Sequence, residues 1–413
     1  KCSGRLGQLS GIERLPGICL KTPLFLQTTR GASIPYISRE VAELTTNLQE
    51  TPICVNLTTT WEMLDIVATS GKGISSFAAL PECPTFLCIR DTSEESKSGH
   101  HEKTGVPLFT RHGKRVISPE KFMDFVEAFK PDCFQLLCDG DTTNTSSKKR
   151  GIQSVARTKD FGEKCLERIR KSKELKELFI VVPIVGGFNH VNRQKSIEFA
   201  KSIPESAGIF IDGLHANGET ALFVQTEETL NIVKLCIENV PKDKLRMILG
   251  AYSPLLMLKM VQLGIDVFDN SLPHLYSIKN RALVFDFSGK GKKLQKLHID
   301  LSQEEFQEDF VPILDGCECL TCRKHTRAYV RHLVDCKELM GTILLNIHNF
   351  HHYRGFFFAI HQHIATDSLH ELISLIEEQS KEENFAEIFP QTTKNGNQSA
   401  KILSTNDSGA EDG

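Results

Sequence analysis

The chain has 413 residues, a formal net charge of −3 and a pI near 6.6. That length can bury a large core, as one α/β barrel with an appendage or as two to three ordinary domains, and the near-neutral balance excludes a bulk polycation that coats nucleic acid. No run of about 18 apolar residues argues for a membrane span, and the N-terminus has no basic-then-apolar leader pattern and no starting Met.

Taken in order, short apolar runs recur along the chain, most of them next to a helical pattern. They are Pro23–Thr28, Thr51–Leu57, Thr85–Arg90, Cys133–Cys138, Phe179–Val185, Gly208–Ile211, Arg246–Leu249 and Asp266–Phe268. Apolar runs of this length between amphipathic helices predict parallel βαβ units. Eight in series predict a (β/α)8 barrel, with a doubly wound sheet as the runner-up. Asp91, Asp139, Gly186, Gly213, Gly250 and Asp269 then fall at the C-terminal mouth, where such barrels keep their sites. Taken singly, each is better explained as a helix cap or turn.

Two polar insertions interrupt the series. Thr92–Arg115 is expected to be an extended loop or hairpin. Thr142–Arg157, with Lys148-Lys149-Arg150, is expected to be a solvated loop, and a phosphate contact is the competing reading. Lys290–Lys296 reads as a basic flexible linker. The expected domains are a barrel over 1–288, a linker over 289–303, a helical module over 304–380 and a disordered tail over 381–413, which is rich in Asn, Ser, Glu and Gly.

The densest chemistry lies at Cys317-Glu318-Cys319-Leu320-Thr321-Cys322, with three thiols in six residues. The other cysteines are scattered through apolar runs, as suits small hydrophobes in a reducing compartment. Tetrahedral Zn2+ needs four such ligands, and a nearby imidazole is the usual fourth. Spacing leaves His325, His332, His348, His351 and His352 all open as that ligand. An iron–sulfur cluster would prefer a fourth thiolate, for which Cys336 is the nearest candidate.

From about Arg5 to Ser374 the chain resembles the tRNA-guanine transglycosylase family. The resemblance is carried by Gly316-Cys317-x-Cys319-x-x-Cys322, His325-Thr326-Arg327-Ala328-Tyr329, His332-Leu333 and His348-Asn349-Phe350. Gly264-Ile265-Asp266-Val267-Phe268-Asp269 with Leu272-Pro273 adds to it. It implies a (β/α)8 TIM barrel with a C-terminal zinc-binding helical module, and one structural Zn2+ on Cys317, Cys319, Cys322 and His348. The family's chemistry uses an Asp at the end of the last strand as nucleophile at the ribose C1′. A second Asp, in an Asp-Ser-Gly-Gly-Phe-Gln motif after the third strand, handles protons.

This sequence departs from that pattern where the base would bind. Asp269 stands at the nucleophile position, but the third-strand motif reads Asp91-Thr92-Ser93-Glu94-Glu95-Ser96. A fifth-strand Gln-Gly becomes Val185-Gly186. The sixth-strand segment is one residue longer, at Gly213-Leu214-His215-Ala216-Asn217-Gly218-Glu219. The Thr-Arg after the last-strand proline becomes His274-Leu275. These departures resemble the family's non-catalytic accessory branch, so no catalytic residue is expected, and Asp269 and Asp91 are vestigial candidates.

The resemblance implies a heterodimer with a catalytic queuine tRNA-ribosyltransferase chain that exchanges guanine for queuine at the wobble position of tRNAs with GUN anticodons. Lys324, Arg327 and Arg331 are candidate tRNA contacts, and the aromatic run Phe350, Tyr353, Phe356, Phe357, Phe358 is a candidate partner contact. The cytoplasm is implied as the location, with peripheral association at the mitochondrial outer membrane and no integral anchor. The alternatives are a self-sufficient transglycosylase using Asp269 and Asp91, and a queuine-binding salvage protein using Glu219 and Asp139.

Overall fold

In the computed structural model, which describes residues 4–98, 102–289 and 296–390, the eight apolar runs form one closed parallel barrel. Its strands are Leu24–Thr28, Ile53–Asn56, Thr85–Cys88, Cys133–Gln135, Phe179–Ile184, Gly208–Ile211, Leu245–Met247 and Val267–Asp269. They pair in sequence order, and the eighth closes on the first through Val267–Leu24 and Phe268–Phe25. The runs are apolar throughout because both faces are covered. One face meets the barrel axis, where Leu26, Cys54, Phe86, Val181, Phe210 and Met247 pack, and the other meets the surrounding helices.

Local signals place the helices. Ser118, Ser147 and Ser253 each cap a helix by accepting from a backbone N–H three residues on. Pro119 and Pro254 follow two of them at the first helical position, and Gly264 ends the helix Pro254–Leu263 in the left-handed conformation.

The first insertion is a hairpin, Val106–Thr110 against Gly113–Ile117, as expected. The second differs from expectation. Only 142–147 is loop, and Lys148–Arg150 begins a helix that runs to Lys171. The Arg150 side chain is spent on a buried ion pair with Asp139, which turns an apparent surface triplet inward. Within the expected linker, His298–Asp300 pairs antiparallel with Arg281–Leu283. Residues 290–295 of the linker and 391–413 of the tail lie outside the described residues. Lys1–Glu383 forms one compact unit, and in the second, from Asn384 onward, the described residues hold the short helix Phe385–Ile388.

After the barrel come the helices Leu320–Lys324, Arg327–Asp335 and the 27-residue Leu339–Ala365, and Leu369–Gln379 packs back on the last of them. The module's own core joins Ala282, Leu301, Phe306, Ile313, Val330 and Leu345. The long helix also bolts the module to the barrel. Asn349 Oδ1 accepts from Leu283 N, while its Nδ2 donates to Ser277 Oγ and Arg281 O. Tyr353 Oη donates to Asp269 O at 3.2 Å, and its ring packs on Phe25 and Phe357. Four of the five rings in the aromatic run are therefore core, and Phe358 alone is exposed, at 63%.

Candidate metal centre and barrel mouth

The loop 314–319 delivers its thiols to the start of one short helix. Cys319 is the N-cap of Leu320–Lys324, and its Sγ accepts from Cys322 N at 3.2 Å. Thr321 Oγ1 donates to Leu344 O, which ties that helix to the long one carrying His348. His348 Nδ1 lies 3.8, 3.6 and 3.3 Å from the sulfurs of Cys317, Cys319 and Cys322. All four ligand atoms lie within 4.8 Å of one another.

The donor set fits a metal ion on its own chemistry. His348 Nε2 sits 2.9 Å from Leu283 O, and a carbonyl only accepts, so Nε2 carries the proton. The Nδ1 lone pair is thus aimed at the sulfurs, as a second-shell carbonyl typically arranges for a metal-bound imidazole. Without a cation the three sulfurs compete for charge. Hydrogen bonds from Cys319 and Cys322 drive Cys317 toward thiolate, while Cys319 is held as a thiol. Burial alone would lower the His348 imidazole, yet the neighbouring Cys317 and Cys322 raise it to about 9. A divalent ion is what lets all three thiols ionise together.

The other candidates fall elsewhere. His325 stacks on Tyr329, and His352 stacks beside His348 and packs on Phe285. Cys336 is exposed and faces His332, so it does not supply a fourth thiolate.

Both mouth carboxylates are at the predicted strand ends, and both are held. Asp269, 1% exposed, accepts from Gly250 N and Ser271 N at 2.7 Å each. Burial raises its pKa despite those hydrogen bonds. Asp91 accepts from Arg30 Nε at 3.1 Å and from Ser93 N and Oγ at 2.9 and 2.6 Å.

The loop between them closes the barrel. Thr92 Oγ1 and Ser271 Oγ share a buried hydrogen bond of 2.8 Å. Gly218 N donates to Thr92 O, Ser96 N to Ala216 O, and Asn217 Nδ2 to Ser96 Oγ. The sixth-strand loop, through Ala216, Asn217 and Gly218, thus latches the third-strand loop. Beneath the latch, between Thr92, Gln135, Cys138, Asp212 and Leu249, the cavity measures about 20 Å3. That is room for about one water, whereas small-molecule sites run to roughly 300–1,000 Å3. A cleft of about 550 Å3 opens on the other side of the latch, walled by Arg30, Trp61, Arg90, Lys97, Phe109 and Arg111 together with the carboxylates Glu62, Asp91, Glu94 and Glu95.

Asp139, one of the two groups expected to meet a base amine, is also occupied. It pairs with Arg150 through both carboxylate oxygens and with Arg157 Nη1 at 3.2 Å. Nothing in the sequence pattern pointed to this clamp. Among the candidate tRNA contacts, Arg327 pairs with Asp309 and donates to Ile313 O, and Arg331 donates to Gln303 O and pairs with Asp335. Those two guanidinium groups tie the module together, while Lys324 is exposed.

His274, after the last strand, is 2% exposed and stacks on Tyr36. Burial, with Arg30 nearby, pushes its imidazole down to about 4. It is neutral at pH 7. An imidazole in the unfolded chain titrates near 6.5. The stabilisation from keeping His274 neutral is therefore complete above pH 6.5 and is lost as pH falls toward 4, by roughly 1.4 kcal/mol per pH unit. His274→Phe is expected to flatten that part of the stability–pH curve, measured by urea unfolding at pH 7, 6 and 5. Identical slopes in the two proteins would refute it.

A model of the family described as queuine tRNA-ribosyltransferase matches residues 1–382. The chain is 42% identical over 380 residues to the queuine tRNA-ribosyltransferase accessory subunit 2 of Culex quinquefasciatus, covering 91% of this chain and 89% of that protein. It is 42% identical over 378 residues to the Anopheles gambiae protein of the same name, covering 90% and 87%. With the Drosophila virilis protein, also so named, it shares 41% over 382 residues, covering 92% and 91%.

Proposed function

The chain belongs to the queuine tRNA-ribosyltransferase family, and from there we propose that it is the accessory, non-catalytic subunit of a heterodimeric enzyme that exchanges guanine for queuine at the wobble position of tRNAs with GUN anticodons. The observation that carries this reading is the latched mouth. The Thr92–Ser271 hydrogen bond spans the region between the two carboxylates, and the space below it admits no purine. A self-sufficient transglycosylase is disfavoured because Asp91 lines the open cleft whereas Asp269 is buried and does not line it, so the two carboxylates do not face one common space. Queuine salvage through Asp139 is disfavoured by the Arg150 and Arg157 pairs.

Three thiolates and one imidazole are the donor set of a closed structural zinc site with no open position, and zinc is the metal we assign. Cys317, Cys319, Cys322 and His348 would hold it, and its contribution is to fix the helix Leu320–Lys324 against the long helix. The partner is the catalytic chain of the family. The surface we assign to it lies on the module, where Phe310, Val311, Tyr329, Leu339 and Met340 are exposed large apolar side chains. For tRNA we assign the exposed Lys324 and, in the cleft, Arg90 and Lys97 beside Trp61 and Phe109, Arg30 being spent on Asp91 and Glu94.

No helix among the described residues is long and apolar enough to cross a membrane. Residence in the cytoplasm, peripherally at the mitochondrial outer face, rests on the family resemblance, and cell fractionation checks it.

The test is base exchange with labelled guanine and cognate tRNA. The purified chain alone is expected to show no turnover above background, and adding the catalytic chain to give full activity. Asp269→Asn in this chain is expected to leave the heterodimer within about twofold of wild type. Robust exchange by the isolated chain would overturn the proposal, as would loss of heterodimer activity in a folded Asp269→Asn variant.

A further inference from the structure

The axis of a (β/α)8 barrel is ordinarily filled by layers of inward side chains. Here the layers toward the mouth are present, with Cys54, Cys88, Phe210 and Leu249 buried. At the opposite, N-terminal end the filling stops. A cavity of about 790 Å3 lies on the axis there and is lined by the starts of six strands, from Leu24 in the first to Val267 in the last, and by Pro52 and Ala207 just before the other two. Two positions facing the axis at this level carry only Pro52 and Cys133, which leaves the floor layer short.

The N-terminal segment covers this space without filling it. The hairpin Gly7–Leu9 with Leu20–Thr22 lies beneath the barrel. It is fastened at two edges by arginines. Arg5 binds Asp266 through both carboxylate oxygens and donates to Lys244 O at 2.9 Å. Arg14 binds Asp132 likewise, with Nη2 at 2.6 Å, and donates to Cys83 O at 2.7 Å. Asp266 starts the eighth strand and Asp132 the fourth, so the two clips stand on opposite sides of the ring. Such a cap is held at its rim and spans the centre.

Leu9, Cys133 and Leu245 are only partly buried although they face the chamber, so the space communicates with solvent. Protein interiors keep few voids larger than a water, and the cost of an empty one grows with its volume. The size falls within the roughly 300–1,000 Å3 of small-molecule sites, and the interior wall carries Leu9, Leu24, Leu26, Phe86, Met247 and Val267 while the rim carries Lys242, Asp243, Lys244 and Arg246. At the rim, Asp266 and Asp132 are already matched by Arg5 and Arg14. Lys242 is exposed there and makes no ion pair among the described residues.

We propose that this chamber binds an amphipathic monocarboxylate of fatty-acid type, its chain on the barrel axis and its carboxylate beside Lys242. The site is independent of base exchange and of the partner surface.

The test uses the delipidated full chain, alone and with its catalytic partner, titrated with dansyl-labelled undecanoate. Saturable emission enhancement that palmitate displaces is expected. Methyl palmitate should compete at least about tenfold more weakly, and Lys242→Glu should weaken palmitate about tenfold without affecting the ester. Cys133→Phe, which fills the axis, should cut affinity at least about tenfold. Because that substitution can disturb folding, Leu9→Trp reaches the same space from the cap, and thermal melts with zinc content confirm an intact fold. No saturable signal overturns the proposal. So does equal competition by acid and ester, or unchanged affinity in folded Cys133→Phe and Leu9→Trp.

Discussion

Cys319→Ser is expected to lower zinc content from about one ion per chain to near zero and to destabilise the protein by on the order of 4–5 kcal/mol. Cys319 has two tasks: its sulfur is 3.6 Å from His348 Nδ1, and it caps the helix Leu320–Lys324. Serine is itself a strong N-cap, so it keeps the second task and removes the first. The loss then reports the metal. Without it, the thiols of Cys317 and Cys322 and the His348 imidazole face one another in a buried site with no cation between them. The helix Leu320–Lys324 then keeps only the Thr321 Oγ1–Leu344 O hydrogen bond and the apolar packing of Ile313 and Leu314 near Leu344 and Leu345 to hold this region to the long helix.

Elemental analysis, thermal melting and co-purification with the catalytic chain are the measurements. Wild-type protein treated with a strong chelator should resemble the variant. A metal-free variant that melts like wild type and still forms the heterodimer would remove the structural role assigned to the site.

The barrel was legible in the sequence because its strands are buried on both faces and so appear as continuous apolar runs. All eight were found within a few residues of their observed ends. The thiol cluster was legible for a different reason: three cysteines in six residues leave few other uses. The fourth ligand was not legible from spacing, since His348, His351 and His352 fall within two turns of one helix. Helical phase decides it, because only His348 is aimed between the sulfurs and Leu283 O.

What the sequence hid has a common cause. Arg150, Arg327 and Arg331 read as solvent-facing charges, and each is turned inward by a partner 11 to 28 residues away. The start of the helix Lys148–Lys171 reads as loop because its first turn is Lys, Lys, Arg and Gly. The floor cavity leaves no trace in an apolar pattern, which reports where side chains face and not whether they meet.

Arg150→Ala is expected to cost about 3–5 kcal/mol, the range typical for removing one partner of a buried ion pair. The helix Lys148–Lys171 grips the end of the fourth strand along one face. Arg150 and Arg157 bind the Asp139 carboxylate, Ser154 Oγ donates to Asp139 O at 2.6 Å, and Thr158 Oγ1 accepts from Asp139 N at 3.0 Å. The spacing of 150, 154, 157 and 158 is that of one helical stripe. The Asp139 side chain is 4% exposed, so the carboxylate left behind would have only Arg157, at 3.2 Å and on one oxygen. Arg157→Ala should cost less, about 1–2 kcal/mol, because the bidentate pair survives it. Asp139→Leu combined with Arg150→Met should recover most of the loss, since a buried pair replaced as a whole by apolar side chains is often near neutral. Urea unfolding of the three variants measures all of this. The same clamp is why Asp139 is unavailable to a purine in this chain. If Arg150→Ala costs under about 1 kcal/mol, the carboxylate is held loosely enough to turn toward a ligand, and direct queuine binding by this subunit returns as the better reading.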